Sequence, residues 1–101
     1  MDRTPAIPIP AEAIAAFCRK HHIRKLALFG SVLRDDFGPD SDVDVLVEFD
    51  PEHIPGWNIV SMADELSELL DGRRVDLLTF KGLHPFIRDR VLREAQDVYA
   101  A

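Results

Sequence analysis

Apolar residues recur with helical spacing in three stretches of the chain, and each stretch predicts a helix. The first helix begins at Pro10, whose ring suits the first helical position. Its inner side carries Ile14, Phe17, Cys18 and His21. The second helix stops at Gly72 and has the most regular apolar positions, which are Ile59, Met62, Ala63, Leu66, Leu69 and Leu70. The third opens at His84-Pro85 and carries Phe86, Ile87, Val91, Leu92 and Ala95.

Shorter apolar runs between these helices predict three strands and a short edge strand. The runs are Ile23 to Phe29, Asp42 to Phe49, Val75 to Phe80 and Val98-Tyr99. Gly30-Ser31 ends the first run and leads into a short helical stretch from Val32 to Asp35. Strands that alternate with helices indicate one α/β domain, in which helices pack on a sheet of three to four strands. We expect this domain to span residues 10–101, after a flexible Pro-rich arm at residues 1–9.

Length and cysteine content agree with one ordinary domain in a reducing compartment. With 101 residues, 47% of them hydrophobic, the chain can bury a core without a structural metal. Cys18 is the single cysteine, which excludes an internal disulfide and a thiolate cluster. The N-terminus lacks the unbroken apolar run of a signal peptide, and no stretch of sequence is long enough to cross a membrane. We therefore expect a cytoplasmic protein without a membrane partner.

Charge is distributed unevenly along the chain. Twelve basic and eighteen acidic residues leave a net charge of −6, which repels polyanions, so direct nucleic-acid binding is not expected. Between positions 35 and 50 there is no Lys or Arg, but there are seven acids: Asp35, Asp36, Asp40, Asp42, Asp44, Glu48 and Asp50. This acidic segment indicates that its partner is a cation.

Asp42 and Asp44 are two residues apart in a predicted strand, so their side chains share one face while valines fill the other. Two like charges side by side are costly unless a cation lies between them, and oxygen ligands on a rigid strand suit Mg²⁺. A solvated polar face on an edge strand explains the same alternation. The pair by itself does not decide between a metal site and a solvated face.

Asp76 lies among apolar residues in another predicted strand. If this strand adjoins the one that carries Asp42 and Asp44, with the same face exposed, three carboxylates converge and can hold two divalent ions. The alternative is a structural ion pair between Asp76 and Arg73 or Arg74.

Gly30-Ser31 is a candidate phosphate site at the end of the first strand. Glycine lets a phosphate approach the backbone, while the Ser31 hydroxyl and N–H groups at a following helix start donate hydrogen bonds to it. The alternative is an ordinary turn from strand to helix.

Taken together, these residues resemble the nucleotidyltransferase superfamily that includes DNA polymerase β. The shared pattern is Gly30-Ser31, ten intervening residues, Asp42-Val43-Asp44 and a later Asp76. The local sequence is similar to minimal nucleotidyltransferases (MNT) in two segments, Leu28-Phe29-Gly30-Ser31-x-x-Arg34 and Asp40 to Val47. The similarity runs from Ile23 to Tyr99, and its tail, Phe86 to Ala95, resembles those of MNT proteins partnered with HEPN toxins.

The resemblance implies a polymerase β-like fold, in which a mixed sheet carries the acidic triad and binds ATP with two Mg²⁺ ions. AMP is transferred to a hydroxyl and pyrophosphate is released. By position, Asp42 and Asp44 hold both ions, while Asp76 completes one ion site and helps to deprotonate the attacking hydroxyl. Gly30 and Ser31 bind the β- and γ-phosphates.

Arg34 matches the arginine that follows Gly-Ser in this family. Both a phosphate contact and an ion pair with Asp36 or Asp40 are open to it. Asp35 departs from the family, in which glycine often follows the arginine, and this departure bears on the geometry of the phosphate-binding turn.

The resemblance also implies a biological role, that of an antitoxin which adds AMP to a tyrosine of a partner HEPN ribonuclease toxin in a hetero-oligomer. The size of the chain favours a protein as the acceptor, because little of it is left for a separate acceptor-binding domain. Two other functions stay open. One is a binding module that masks the toxin without catalysis, and the other is a nucleotidyltransferase that modifies an aminoglycoside-like small molecule.

Overall fold

The computed structural model describes residues 7–33, 37–38, 41–53 and 59–101, with the side chain of Lys81 outside the described part. Its elements follow in the order α1 (Ala11–Lys20), β1 (Ile23–Phe29), β2 (Val43–Phe49), α2 (Ile59–Leu69), β3 (Val75–Thr79), α3 (Pro85–Glu94) and β4 (Gln96–Ala100). Two 3₁₀ helices, Gly30–Leu33 and Phe80–Gly82, directly follow β1 and β3. The predicted alternation of helices and strands is confirmed.

The four strands form one mixed sheet in the order β3-β2-β1-β4. β1 pairs antiparallel with both β2 and β4, whereas β2 and β3 run parallel. A parallel pair needs a long crossover connection, and α2 lies in the connection between these two strands. The predicted α/β fold with a small mixed sheet is confirmed, and β4 is the edge strand expected around Val98-Tyr99.

The main core lies between one face of the sheet and the helices α1 and α2. Alternation directs the odd-numbered residues of β2 into this core, where Val43, Val45 and Val47 are completely buried. Helical spacing directs one side of each helix to the same core. The buried helix residues are Ile14, Phe17, Cys18, Met62 and Leu66.

The chain leaves α2 through two residues with left-handed backbone, as the sequence predicted from Gly72. Asp71 has φ +62° and Gly72 has φ +78°. The Gly72 N–H donates to the Ser67 carbonyl at 2.8 Å, which satisfies a carbonyl at the end of the helix. This turn directs the chain into β3.

A smaller apolar cluster lies on the opposite face of the sheet, under α3. Phe29 and Leu46 from the sheet pack there with Leu83 and Val91. The apolar residues predicted on α3 do not share one buried side, because Phe86 is 90% exposed. With 3.6 residues per turn, Phe86 lies about 140° around the helix from Val91, so the two side chains cannot face the same sheet.

Several element boundaries differ from the prediction. The described part of the short helical stretch expected at Val32 to Asp35 belongs to a 3₁₀ helix, Gly30–Leu33, which begins two residues earlier than predicted, and Asp35 lies outside the described residues. β2 begins at Val43, one residue after Asp42. β3 ends at Thr79 because its hydroxyl accepts a hydrogen bond from the Gly82 N–H at 3.0 Å and caps the next turn.

The N-terminal stretch is described only from residue 7 onward. Ile7 and Ile9 pack against the main core with partial burial, although they lie in the stretch predicted as a flexible arm. Within the described part of the chain, no helix combines the length and the apolar character that a membrane span requires.

Candidate active site

The acidic side chains of β2 lie on the face opposite the main core. Asp44 is partly buried between Val43 and Val45, which both point into the core. Asp42 directly precedes the strand and is exposed. The predicted division of this segment into an acidic side and a valine side is confirmed.

Asp76 is the direct neighbour of Asp44 in the sheet. The parallel register places Asp44 opposite Asp76, one step after Val43 opposite Val75. Val75 and Leu77 pack against the main core, so Asp76 points to the other face, as Asp44 does. The two acidic strands are therefore neighbours in the sheet, with Asp44 and Asp76 on the same face.

Asp42, the third predicted carboxylate, pairs with Arg74. The Arg74 Nε lies 3.1 Å from Asp42 Oδ1, in an open ion pair whose side chains are 82% and 46% exposed. Among the described residues, no group of three or more His, Cys, Asp or Glu side chains is arranged to hold a metal ion. The structure thus brings Asp44 and Asp76 together and gives Asp42 a cationic partner from the neighbouring chain segment.

Arg73 holds the turn that leads into β2. Its Nη1 donates to the Gly38 carbonyl at 3.1 Å, and its guanidinium carbon lies 4.7 Å from the centre of the Phe37 ring. Ser41 closes the same turn, since its N–H also donates to the Gly38 carbonyl at 3.1 Å. Among the described side chains neither arginine forms an ion pair with Asp76, so the alternative role predicted for Asp76 is not observed.

Gly30 is required by its backbone conformation and by the closeness of Asp44. Its φ of +77° lies in the left-handed region, which glycine adopts without a steric penalty. A Cβ at this position would fall on Oδ2 of Asp44 and lie 3.2 Å from its Cγ. The approach is this close because the preceding residue, Phe29, is the partner of Asp44 in the sheet.

Ser31 follows in the 3₁₀ helix and is partly buried. The predicted helix start, whose N–H groups were expected to bind phosphate, is therefore a single 3₁₀ turn in the described residues. Arg34 and its alternative partners Asp36 and Asp40 lie outside the described residues, as does Asp35.

Two contacts, between Arg74 and Asp42 and between Arg73 and Phe37, have no signal in the sequence pattern. The first contact follows from the sheet register, because a parallel pairing that sets Asp44 beside Asp76 also sets Asp42 beside Arg74. The pattern of apolar residues in each strand does not predict which residues of the two strands pair. The second contact depends on how the turn before β2 folds back on the start of β3.

Three described groups, Glu65, Asp50 and Cys18, have a clearly shifted pKa. Hydrogen bonds with Lys20 at 2.6 Å and His21 at 2.7 Å lower the pKa of Glu65. A hydrogen bond from the Glu52 N–H lowers the pKa of Asp50. Burial raises the pKa of the Cys18 thiol to about 11, so this thiol is protonated at neutral pH and is a poor nucleophile.

Comparison with known proteins gives the same family along most of the chain. The family described as "Nucleotidyltransferase domain" matches residues 11–98. Protein adenylyltransferase MntA of Thermococcus cleftensis is 42% identical over 72 residues, which are 71% of each chain. A candidate protein adenylyltransferase of Methanocaldococcus jannaschii is 42% identical over 79 residues, which are 78% of this chain and 83% of the relative.

Solved structures share the fold. A candidate minimal nucleotidyltransferase is 37% identical with a TM-score of 0.71, and the match covers 85% of this chain and 86% of that one. A toxin-antitoxin structure with AMP-PNP matches with a TM-score of 0.73 at 19% identity, over 91% of this chain and 74% of that one. A structure of a tri-AMPylated Shewanella oneidensis HEPN toxin with its MNT antitoxin matches with a TM-score of 0.65 at 19% identity, over 90% and 70%.

The structures at 19% identity show a shared fold and nothing more. The family match and the more similar relatives show that the chain shares an ancestor with these proteins. Gly30, Asp42, Asp44 and Asp76, from which the family was predicted, all lie within the matched residues 11–98. The chain belongs to the nucleotidyltransferase domain family.

Proposed function

We propose that this chain is a Mg²⁺-dependent protein adenylyltransferase, which transfers AMP from ATP to a tyrosine of a HEPN-type ribonuclease toxin and thereby acts as its antitoxin. The observation that carries the proposal is the register of β2 and β3, which sets Asp44 beside Asp76 on one face and against Gly30. Relatives named protein adenylyltransferase support the reaction. The resemblance of Phe86 to Ala95 to the tails of MNT proteins partnered with HEPN toxins supports the type of partner, and toxin-antitoxin structures share the fold.

Asp42, Asp44 and Asp76 would hold two Mg²⁺ ions. The donors fit this metal, because carboxylate oxygens are the ligands that Mg²⁺ takes in proteins. Asp42 would have to leave Arg74, and an exposed ion pair of this kind is worth only about 0–1 kcal/mol. When bound, the ions would neutralise charge on the triphosphate and make the α-phosphorus a better electrophile.

Asp76 is the proposed proton acceptor in the transfer step. The tyrosine oxygen forms a bond to the α-phosphorus, while the bond from this phosphorus to the oxygen that bridges to the β-phosphate breaks. Pyrophosphate leaves with that electron pair, and the hydroxyl proton moves to a carboxylate oxygen of Asp76. A positioned general base of this kind typically contributes a factor of about 10²–10⁴ to the rate.

Gly30, Ser31 and Arg34 are the proposed ligands of the β- and γ-phosphates. The Ser31 hydroxyl and the backbone N–H groups of the turn donate hydrogen bonds to phosphate oxygens, and glycine lets the phosphates approach the backbone. Arg34 adds a positive charge in the same segment. These contacts place the triphosphate next to Asp44, against which Gly30 is packed.

The toxin partner supplies the acceptor hydroxyl by docking. A docked protein holds its tyrosine in line with the bond that breaks, and fixed geometry of this kind replaces a slow encounter between separate molecules. Docking and chemistry are therefore separable by mutation, which distinguishes an enzyme from a module that only masks the toxin.

The experiment uses ATP labelled at the α-phosphate, Mg²⁺ and a small helical HEPN-type protein as the partner. The unmodified chain should transfer label to the helical partner, and Asp42→Asn/Asp44→Asn should bind the partner without labelling or silencing it. Asp64→Asn/Asp71→Asn is the control, since it removes two exposed carboxylates of the α2 region and should leave transfer unchanged.

Two outcomes contradict the proposal. If the Asp42→Asn/Asp44→Asn variant silences the partner as fully as the unmodified chain does, with no covalent AMP on the partner, masking is the mechanism. If label is transferred to an aminoglycoside-like molecule in place of the partner, the chain is a small-molecule nucleotidyltransferase.

A further inference from the structure

The positively charged side chain of Arg74 lies next to the Asp42 carboxylate. Its Nε lies 3.1 Å from Asp42 Oδ1. Backbone pairing holds the two residues side by side. The Val43 N–H donates a hydrogen bond to the Arg74 carbonyl at 2.8 Å, and Val43 pairs with Val75 in the sheet. Asp42 and Arg74 therefore lie side by side, each directly before its strand, and their side chains are close enough to form an ion pair.

We propose that Arg74 is an exchangeable counterion, which neutralises Asp42 until a divalent cation takes its place. The inference rests on the metal role proposed above for Asp42. Asp42 lies two residues before Asp44, which is in turn opposite Asp76 in the sheet, so all three carboxylates lie near the same end of β2 and β3. Like charges at this spacing repel each other, and a guanidinium from the neighbouring segment reduces that repulsion.

The exposure of the pair explains why it is exchangeable. With Arg74 82% exposed and Asp42 46% exposed, water screens their attraction, and such pairs are weak. A divalent ion carries twice the charge of a guanidinium and attracts a carboxylate more strongly at the same distance. Exchange therefore needs only a rotation of an exposed arginine side chain.

Arg73 shows by contrast what a structural arginine looks like at the same place in the chain. It is partly buried, donates to the Gly38 carbonyl and lies over the Phe37 ring. The two consecutive arginines therefore have different structural roles. Arg73 stabilises the turn before β2, whereas Arg74 makes one solvent-exposed ion pair.

NMR of the ¹⁵N-labelled chain tests the exchange directly. The Nε–H signal of Arg74, assigned by its loss in Arg74→Lys, should move toward the position of a solvated arginine as Mg²⁺ is added. Its midpoint should match that of the changes at the backbone amides of Asp42 and Asp44. The Nε–H signal of Arg90, which pairs with Glu94 at 3.4 Å on α3, is the control and should stay in place.

Calorimetry with Mn²⁺, in the absence of nucleotide, tests the competition. Arg74→Gln and Arg90→Gln remove the same charge from two exposed ion pairs made through Nε. Arg74→Gln should bind Mn²⁺ about two- to five-fold more tightly than Arg90→Gln, the range expected when a weak competing pair is lost. Melting curves establish that both variants are folded.

The outcomes separate this inference from the metal role itself. If the Asp42 and Asp44 amides respond to Mg²⁺ while the Arg74 signal stays in place, or if Arg74→Gln binds Mn²⁺ no more tightly than Arg90→Gln, the exchange is overturned and the metal role stands. If the unmodified chain binds neither Mg²⁺ nor Mn²⁺, with or without a non-hydrolysable ATP analogue, the metal role fails and the exchange fails with it.

Discussion

The two faces of β2 carry opposite chemistry on one strand of seven residues. Val43, Val45 and Val47 are completely buried against α1 and α2, whereas Asp44 and Glu48 on the other face remain in contact with solvent. Because side chains alternate along a strand, the core and the candidate active site share a backbone but no side chains. The three valines should therefore govern stability, and the carboxylates on the other face should govern transfer.

The largest expected effect is the loss of transfer in Asp76→Asn. If Asp76 accepts the proton, transfer should fall by about 10²–10⁴-fold while the free energy of unfolding changes by less than about 0.5 kcal/mol. Labelled-AMP transfer and urea denaturation measure the two quantities. Asp64→Asn, on the exposed side of α2, is the control that should change neither. Unchanged transfer in Asp76→Asn would remove this residue from the proposed mechanism.

The opposite pattern is expected for the core. Leu66 of α2 is completely buried, and Leu66→Ala should lower the free energy of unfolding by about 2–5 kcal/mol because it leaves a cavity. Transfer by the fraction that remains folded should not change. Val60→Ala is the matched control on the same helix, since Val60 is 67% exposed and its truncation should cost less than about 0.5 kcal/mol. A Leu66→Ala variant that is as stable as Val60→Ala would contradict the assignment of this core.

Gly30→Ala tests the point at which the two faces meet. Gly30 and Gly72 have nearly the same positive φ, +77° and +78°, so alanine should cost about 1–2 kcal/mol in backbone strain at either position. Only at Gly30 would the new Cβ displace the Asp44 carboxylate, because nothing lies within 4 Å of the corresponding position at Gly72. We expect both variants to melt earlier and only Gly30→Ala to lose transfer. Equal transfer in the two variants would show that the Gly30 contact does not position Asp44.

The smallest effect concerns an ion pair that belongs to neither face. Lys20 and His21 lower the pKa of Glu65 below its usual 4.5, so this carboxylate stabilises the fold above that pH and loses the contribution as the pH falls through its folded value. Glu65→Gln should therefore be less stable than the unmodified chain by at most about 1 kcal/mol at pH 7, and the difference should vanish in acid. Denaturation from pH 7 to pH 3 measures this, with Glu68→Gln on the exposed side of α2 as the control. A difference that persists in acid would assign the effect to packing.

The sequence predicted the elements and the two sides of β2 because these depend on local periodicity. β1 has the predicted bounds, Ile23–Phe29, and α2 ends where the left-handed Asp71 and Gly72 turn the chain. The face occupied by Asp44 follows from its place between two valines. For such features each residue needs only its near neighbours, so the sequence alone carries the information.

The tertiary structure decided which segments meet. The parallel pairing of β2 with β3 places Asp44 beside Asp76. It also places Arg74 beside Asp42, although these two residues are more than thirty positions apart in the sequence. The exposure of Phe86 likewise depends on how α3 packs on the sheet. The spacing of apolar residues along α3 does not show which side of the helix is buried and which is exposed. The physical reason is that sheet register and helix docking are set by the packing of the whole core, whereas alternation along a strand is set by the backbone itself.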